Sequence, residues 1–263
     1  SIRNNGCRQI DAPLRRVETP GGFTFEMDYV RLEEVASDAR NRLLILCNPH
    51  NPTGRVWRRE ELERVRDICR RHDVMVVSDE IHCELTHGSI SYVPYATVDD
   101  RAIVCVSPSK AFNTAGLQIA AIVCPDERVR ARVDRAINDN EVCDVNPFGV
   151  EGLIAAYTRG EEWLDALRAY LDANYARLRE VVTERLPRWR VCDSESTYLA
   201  WIDVSGSGLD GDEVAKALLA QAKVRVSPGS DYGAPEYIRI NYACPRRRLD
   251  EALERICRWC GRE

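Results

Sequence analysis

Three apolar runs dominate the first half of the chain: Leu43-Leu44-Ile45-Leu46-Cys47, Val74-Met75-Val76-Val77 and Ala102-Ile103-Val104-Cys105-Val106. They are continuous rather than alternating and rich in β-branched residues, which predicts strands of a parallel sheet buried on both faces. Between the first two, residues 58–72 place Leu62, Val65, Ile68 and Cys69 on one face at helical spacing. Pro20-Gly21-Gly22 reads as a hairpin turn, followed by a helix over 26–39. Further along, the pattern predicts a strand over 119–124 and a charged amphipathic helix over 126–138. Leu164, Leu167, Leu171, Leu178 and Val182 mark a long helix over 161–186. The remainder reads strand (198–204), helix (211–222), two strands (224–227 and 237–242) and helix (247–260). This alternation predicts an α/β protein. Residues 1–160 form a large domain, and 161–263 supply a linking helix and a smaller C-terminal α+β domain. No internal repeat or low-complexity tract is visible.

Each of the three runs is followed directly by a polar group, namely Asn51, Asp79 and Lys110. In an open α/β sheet the ligand sits at the carboxyl ends of the strands, which is where all three fall. An amide, a carboxylate and an amine at one sheet edge are the groups needed to hold and use pyridoxal phosphate. Lys110 would form the Schiff base and later act as a base at the substrate α-carbon. Asp79 would keep the pyridine nitrogen protonated, because a nearby opposite charge favours the cationic form. Asn51 would donate to the ring phenolate. Each residue alone has an ordinary explanation, as a solvated charge, a cap or a turn. Lysine, however, is scarce here: Lys110, Lys216 and Lys223 are the only three among 37 basic residues. The three polar groups in this order at three strand ends outweigh the separate explanations.

Around these residues lie Asn48-Pro49-His50-Asn51-Pro52-Thr53-Gly54, Ser78-Asp79-Glu80-Ile81-His82 and Ser107-Pro108-Ser109-Lys110-Ala111-Phe112-Asn113. Together they resemble the fold type I, class I/II aminotransferase superfamily. The nearer resemblance is to its branch of pyridoxal-phosphate carbon–sulfur lyases of the MalY/PatB cystathionine β-lyase type. His82 stands where aminotransferases generally carry tyrosine, and Gln118 where they generally carry a phosphate-binding arginine. Ser196-Thr197-Tyr198-Leu199-Ala200-Trp201 and Ile238-Arg239-Ile240-Asn241 also resemble the lyase branch. The resemblance implies a three-layer α/β/α large domain with a mostly parallel sheet. It implies that Asn51, Asp79, His82, Ser107, Ser109 and Lys110 hold the cofactor, with Ser107 and Ser109 as phosphate donors. Asn51 and Arg239 would bind the substrate, Arg239 gripping its α-carboxylate with a planar fork. Family members run longer at the amino end, where a glycine-rich phosphate turn is expected, so the N-terminal part of the family fold is expected to be missing here. The resemblance further implies a homodimer.

Composition narrows the partners. A net charge of −5 gives no electrostatic reason to expect nucleic acid or an anionic membrane. No apolar run approaches the length of a membrane span. The 11 cysteines are odd in number and many lie within apolar runs, which suits a reducing cytoplasmic compartment rather than a disulfide framework. Cys257 and Cys260 lack a second pair at zinc spacing, so no metal is expected. Ser107-x-x-Lys110 also fits the motif of penicillin-binding hydrolases, but no lysine is followed by the threonine of Lys-Thr-Gly.

The expected activity is therefore a lyase reaction on an amino acid of the cystathionine or cysteine-S-conjugate type. Three other readings share the pattern: an aminotransferase, a carbon–sulfur lyase domain of a polyketide assembly line acting on a carrier-tethered adduct, and a non-catalytic regulatory module.

Overall fold

The computed structural model describes residues 2–88, 90–142 and 144–261. Its first element pair is a hairpin, β1 (Arg15–Thr19) and β2 (Gly22–Glu26), turning at the expected Pro20-Gly21. Helix α1 (Tyr29–Ser37) follows, capped by the Asp28 carboxylate accepting from Arg31 N. The helix starts later than the pattern suggested, because Glu26 still belongs to β2.

The three apolar runs form β3 (Leu43–Cys47), β4 (Met75–Asp79) and β5 (Ile103–Val106), in parallel and in sequence order. Strand β6 (Ala121–Val123) joins β5 antiparallel at the edge. Helix α2 (Arg59–Arg71) lies between β3 and β4, and its buried Leu62, Val65, Ile68 and Cys69 are the predicted stripe. They pack with α1 residues Leu32 and Ala36 against Leu46, Val76 and Val104 on one face of the sheet. The expectation of burial on both faces fails on the other side. There Leu43 is 52% exposed, Ile45 45% and Ile122 44%. Strand alternation sends these residues away from α1 and α2.

Helix α3 (Glu127–Asp139) is capped by Asp126, and α4 (Pro147–Arg159) by Asn146 with proline in its first turn. The long α5 (Glu161–Arg185) runs back across the molecule. A second sheet, ordered β7-β8-β10-β9, contains β7 (Arg190–Val191), β8 (Leu199–Asp203), β9 (Ser227–Pro228) and β10 (Tyr237–Asn241), all antiparallel. The expected strand over 224–227 shrinks to β9, because only Ser227 and Pro228 reach pairing register with β10. Helix α6 (Gly211–Ala217) and helix α7 (Arg246–Cys260) complete the chain.

Ile202, Ile238 and Ala200 pack with Leu178, Val182, Val214 and Leu253 in the largest core. The opposite face of this sheet is covered by the hairpin: Phe23 packs with Trp201 and Tyr237. Asp193 N donates to Phe23 O at 2.7 Å, and Arg16 Nη1 reaches Asp203 Oδ2 at 2.5 Å. The hairpin thus precedes the parallel sheet in sequence but packs on the C-terminal one.

Candidate functional site

Strand register brings the first group together. Asp79 at the end of β4 pairs with Cys47 on β3 and Cys105 on β5, so all three point to the same sheet face. Asp79 Oδ1 accepts from Ile81 N at 3.2 Å. Burial pushes the Cys47 thiol up to about 11 and also raises Cys105, with the Asp79 carboxylate adding to both. Both thiols are therefore neutral flanks to Asp79. Cys47 also shapes the next turn: Asn51 N donates to its sulfur at 3.4 Å.

Asn51 stands in that turn, whose path is fixed by Gly54 at φ +74°. A Cβ on Gly54 would lie 1.9 Å from Ser194 Oγ, so only glycine fits. Across the cleft, Arg239 on β10 donates from Nη1 to Asn51 Oδ1 at 3.0 Å. Its guanidinium lies 4.7 Å from the Tyr232 ring centre, and Nη2 is 3.5 Å from Ser227 Oγ. Arg239 Nε is buried and has no partner among the described residues.

His82 is 3% exposed, and its Nδ1 is likewise buried and unpartnered among the described residues. Burial first, then the positive charges of Lys110 and Arg239, push it down to about 4. The imidazole is neutral at pH 7, which keeps a third positive charge away from the lysine and arginine. Its ring meets Tyr198 edge-on at 6.0 Å.

Lys110 and the two serines occupy the turn after β5. Ser107 Oγ donates to Ile119 O at 2.6 Å and lies 2.5 Å from Ser109 Oγ. With the Ser107 proton committed to the carbonyl, Ser109 is the donor between the two hydroxyls. Ser107 is buried and Ser109 half-buried, so Ser107 braces Ser109. Gln118 is exposed, at φ +49°.

Behind the site lies a buried polar network that the motifs did not reveal. Glu80, 2% exposed, accepts from Ser78 Oγ at 2.8 Å, from Tyr95 N at 2.9 Å and from Tyr92 Oη. Burial raises its carboxyl, against those hydrogen bonds. Asn48 N donates to Asp79 O at 3.0 Å, so the ends of β3 and β4 are tied above this network. Tyr198 and Tyr232 are the other neighbours that had no assigned role. Tyr198 was visible within the Ser196–Trp201 stretch, whereas nothing local marks Tyr232, which reaches Arg239 through the fold.

Residues 3–256 match the family of class I and II aminotransferases. The chain belongs to that family. It is 36% identical over 261 residues to cystathionine β-lyase PatB of Bacillus subtilis, covering 97% of this chain and 66% of that protein. It is 35% identical over 233 residues to protein MalY of Escherichia coli, covering 86% of this chain and 59% of that protein. The chain thus spans less than two thirds of the length of these relatives. Among solved structures, the pyridoxal-phosphate-bound C–S lyase from Staphylococcus hominis superposes with a TM-score of 0.88 at 33% identity. That match covers 98% of this chain and 66% of the lyase. The expected fold type I architecture, a mixed sheet with flanking helices, is thereby established for the part of the family fold this chain spans.

Proposed function

We propose that this protein is a pyridoxal-phosphate-dependent carbon–sulfur β-lyase. Its substrate would be an amino acid of the cystathionine or cysteine-S-conjugate type, cleaved with water to thiol, pyruvate and ammonia. The observation that carries this reading is the Arg239–Asn51 hydrogen bond at 3.0 Å. It joins a carboxylate-binding fork to a cofactor-facing amide, next to the strand end that bears Asp79.

The donor set fits the cofactor: an amine, a carboxylate, an amide, a hydroxyl and a neutral imidazole, with buried nitrogens of His82 and Arg239 unpartnered among the described residues. When bound, the cofactor ring would serve as an electron sink for charge formed at the substrate α-carbon. Lys110 would hold its aldehyde and, once released, take the α-proton at Nζ. Asp79 would hold the proton on the pyridine nitrogen. Asn51, with Oδ1 engaged by Arg239, has Nδ2 left to donate to the ring phenolate. Ser109 would donate to the phosphate by turning its single hydroxyl proton away from Ser107 Oγ. Arg239 would orient the substrate α-carboxylate, and His82 would wall one side of the ring. A cytoplasmic homodimer completes the reading. The cysteine content suits a reducing compartment, and light scattering on the purified protein tests the dimer.

The deciding experiment follows visible absorbance of the full-length protein while L-cystathionine is added, with pyruvate assayed in parallel. A cofactor band that disappears in Lys110→Ala, together with pyruvate release, supports the lyase. A band without pyruvate but with amino-group transfer to a keto acid would make it an aminotransferase. A requirement for a carrier-tethered substrate would make it an assembly-line lyase. Absence of any band in the full-length protein would sink the cofactor reading.

A further inference from the structure

Six non-glycine residues have left-handed backbone among those described: Asp73, Asn113, Gln118, Glu141, Thr197 and Lys223. Five are exposed, at turns and helix ends where such geometry is ordinary. Thr197 differs from them. It is fully buried, at φ +72°, and β-branched, which makes this conformation an outlier for its residue type. Strain of this kind persists only where the surroundings over-determine it.

The surroundings do so here. Thr197 N donates to Leu85 O at 2.7 Å, and Thr197 O accepts from His87 Nε2 at 2.9 Å and from Tyr242 Oη at 3.0 Å. Its Oγ1 accepts from Leu199 N at 3.2 Å. The preceding residues are stitched to the turn that carries Asn51. Glu195 N and Ser196 Oγ both donate to Gly54 O, at 2.9 and 3.0 Å. The next residue is Tyr198, whose ring stands edge-on to His82 and close enough to Arg239 to feel its charge.

We infer that Tyr198 is a substrate-contact residue of this site and that Thr197 is the positioning residue that aims it. The inference rests on the proposed function only in taking the ligand to be an amino acid held through its carboxylate by Arg239. Tyr198 then forms the wall against which the amino-acid side chain packs. A ring fixed in advance by a locked turn loses little conformational freedom on binding, so more of the contact energy appears as affinity. The substrate class this favours is an amino acid with an extended side chain rather than a short one.

The test compares two probes on the holoprotein, L-cystathionine and L-alanine, which share the α-amino acid group and differ in side chain. Tyr198→Ala should weaken L-cystathionine about tenfold or more, the scale of a lost apolar side-chain contact, and L-alanine by less than about twofold. Tyr198→Phe should keep the wild-type ratio. Thr197→Gly accepts the backbone angle but frees the turn. It should lower the cystathionine-to-alanine preference in the same direction and shift the His82 ring-proton resonances that sense the Tyr198 ring. Thr197→Asn, which tolerates the same backbone region, should preserve both. Equal weakening of the two probes in Tyr198→Ala would overturn the inference, as would a wild-type protein with no preference between them. So would unmoved His82 resonances in Thr197→Gly with an unchanged preference. Selective binding of L-cystathionine without pyruvate release would remove the lyase reading and leave this one standing.

Discussion

Arg239 Nη1 and Asn51 Oδ1 lie 3.0 Å apart and join residues separated by 188 positions in the sequence. The bond uses one arm of the guanidinium, on a side chain set by Tyr232 stacking and half-buried on β10. A planar fork in this position can bind a carboxylate in two places while keeping its hold on Asn51. A lysine could do only one of these.

Arg239→Lys is therefore expected to raise KM for an amino-acid substrate roughly 10- to 100-fold. A charged hydrogen bond is worth ~1.5–3 kcal/mol, and each tenfold is ~1.4 kcal/mol. The effect on kcat should be smaller, because the lost contact is to a non-reacting group. Steady-state kinetics on the full-length protein decide this. An unchanged KM would remove Arg239 from the carboxylate site.

One buried histidine, His82, and one half-buried histidine, His50, set an acid limit to stability. Burial, then Lys110 and Arg239, push His82 down to about 4; burial, then Arg55, push His50 down to about 4. In the unfolded chain a histidine titrates near ~6.5. Between about pH 6.5 and about pH 4 the unfolded chain therefore binds more protons than the folded one, and stability falls as pH drops. The slope is about 1.4 kcal/mol per pH unit for each histidine, and the loss is complete below about pH 4. Urea unfolding between about pH 7 and about pH 5 should show this decline, and His82→Gln should make it shallower. A midpoint flat over that range would show that the fold does not hold both rings as neutral bases.

Much of this arrangement could be read from the chain because strands and helices write their periods locally. The runs ending at Cys47, Asp79 and Val106 are strands because β-branched apolar residues prefer a pleated, packed surface. The groups at their ends fall together because parallel strands share a carboxyl edge. Helix α4 went unread although Asn146-Pro147 is a start signal, because Gly149 and Gly152 dilute its helical pattern. Those glycines have a tertiary reason. A Cβ on Gly149 would lie 3.1 Å from the backbone oxygen of Leu117, and one on Gly152 would meet the Leu117 side chain, contacts no local pattern encodes. The hairpin packing on the C-terminal sheet, the Tyr232–Arg239 stack and the Glu80 network are likewise long-range results of the fold.

The Glu80 network yields a stability prediction with a built-in control. Glu80→Ala would leave Ser78 Oγ, Tyr92 Oη and Tyr95 N without their acceptor in a buried setting. Each stranded donor costs ~1–3 kcal/mol, so the three together are expected to cost at least ~3 kcal/mol. Glu80→Gln keeps one acceptor oxygen and should cost about half as much or less. Denaturant unfolding curves of the two variants measure the difference. Equal, small shifts would mean that water replaces the carboxylate and that the network does not hold the end of β4 to the Tyr92–Tyr95 segment.

Arg55 offers a way to separate the two halves of the chain. It is 6% exposed, and it donates to Phe25 O at 2.9 Å, to Glu61 at 2.8 Å and to Glu195 at 2.5 Å. Glu195 also accepts from Val56 N at 2.9 Å. One guanidinium thus ties the hairpin, the start of α2 and the segment before β8. Removing one member of a buried ion cluster costs ~3–5 kcal/mol, chiefly because partner charges are left uncompensated. Glu61 and Glu195 keep side-chain exposures of 20% and 26%, so water reduces the penalty, and about 3 kcal/mol is expected for Arg55→Met. The same variant frees Phe25 O, so trypsin should cleave at Arg15 or Arg16 faster than elsewhere. Adding Glu195→Leu removes one stranded carboxylate and should recover part of the stability without restoring protection of the hairpin. Recovery of both would show that the ion cluster, rather than the Phe25 contact, fastens the hairpin.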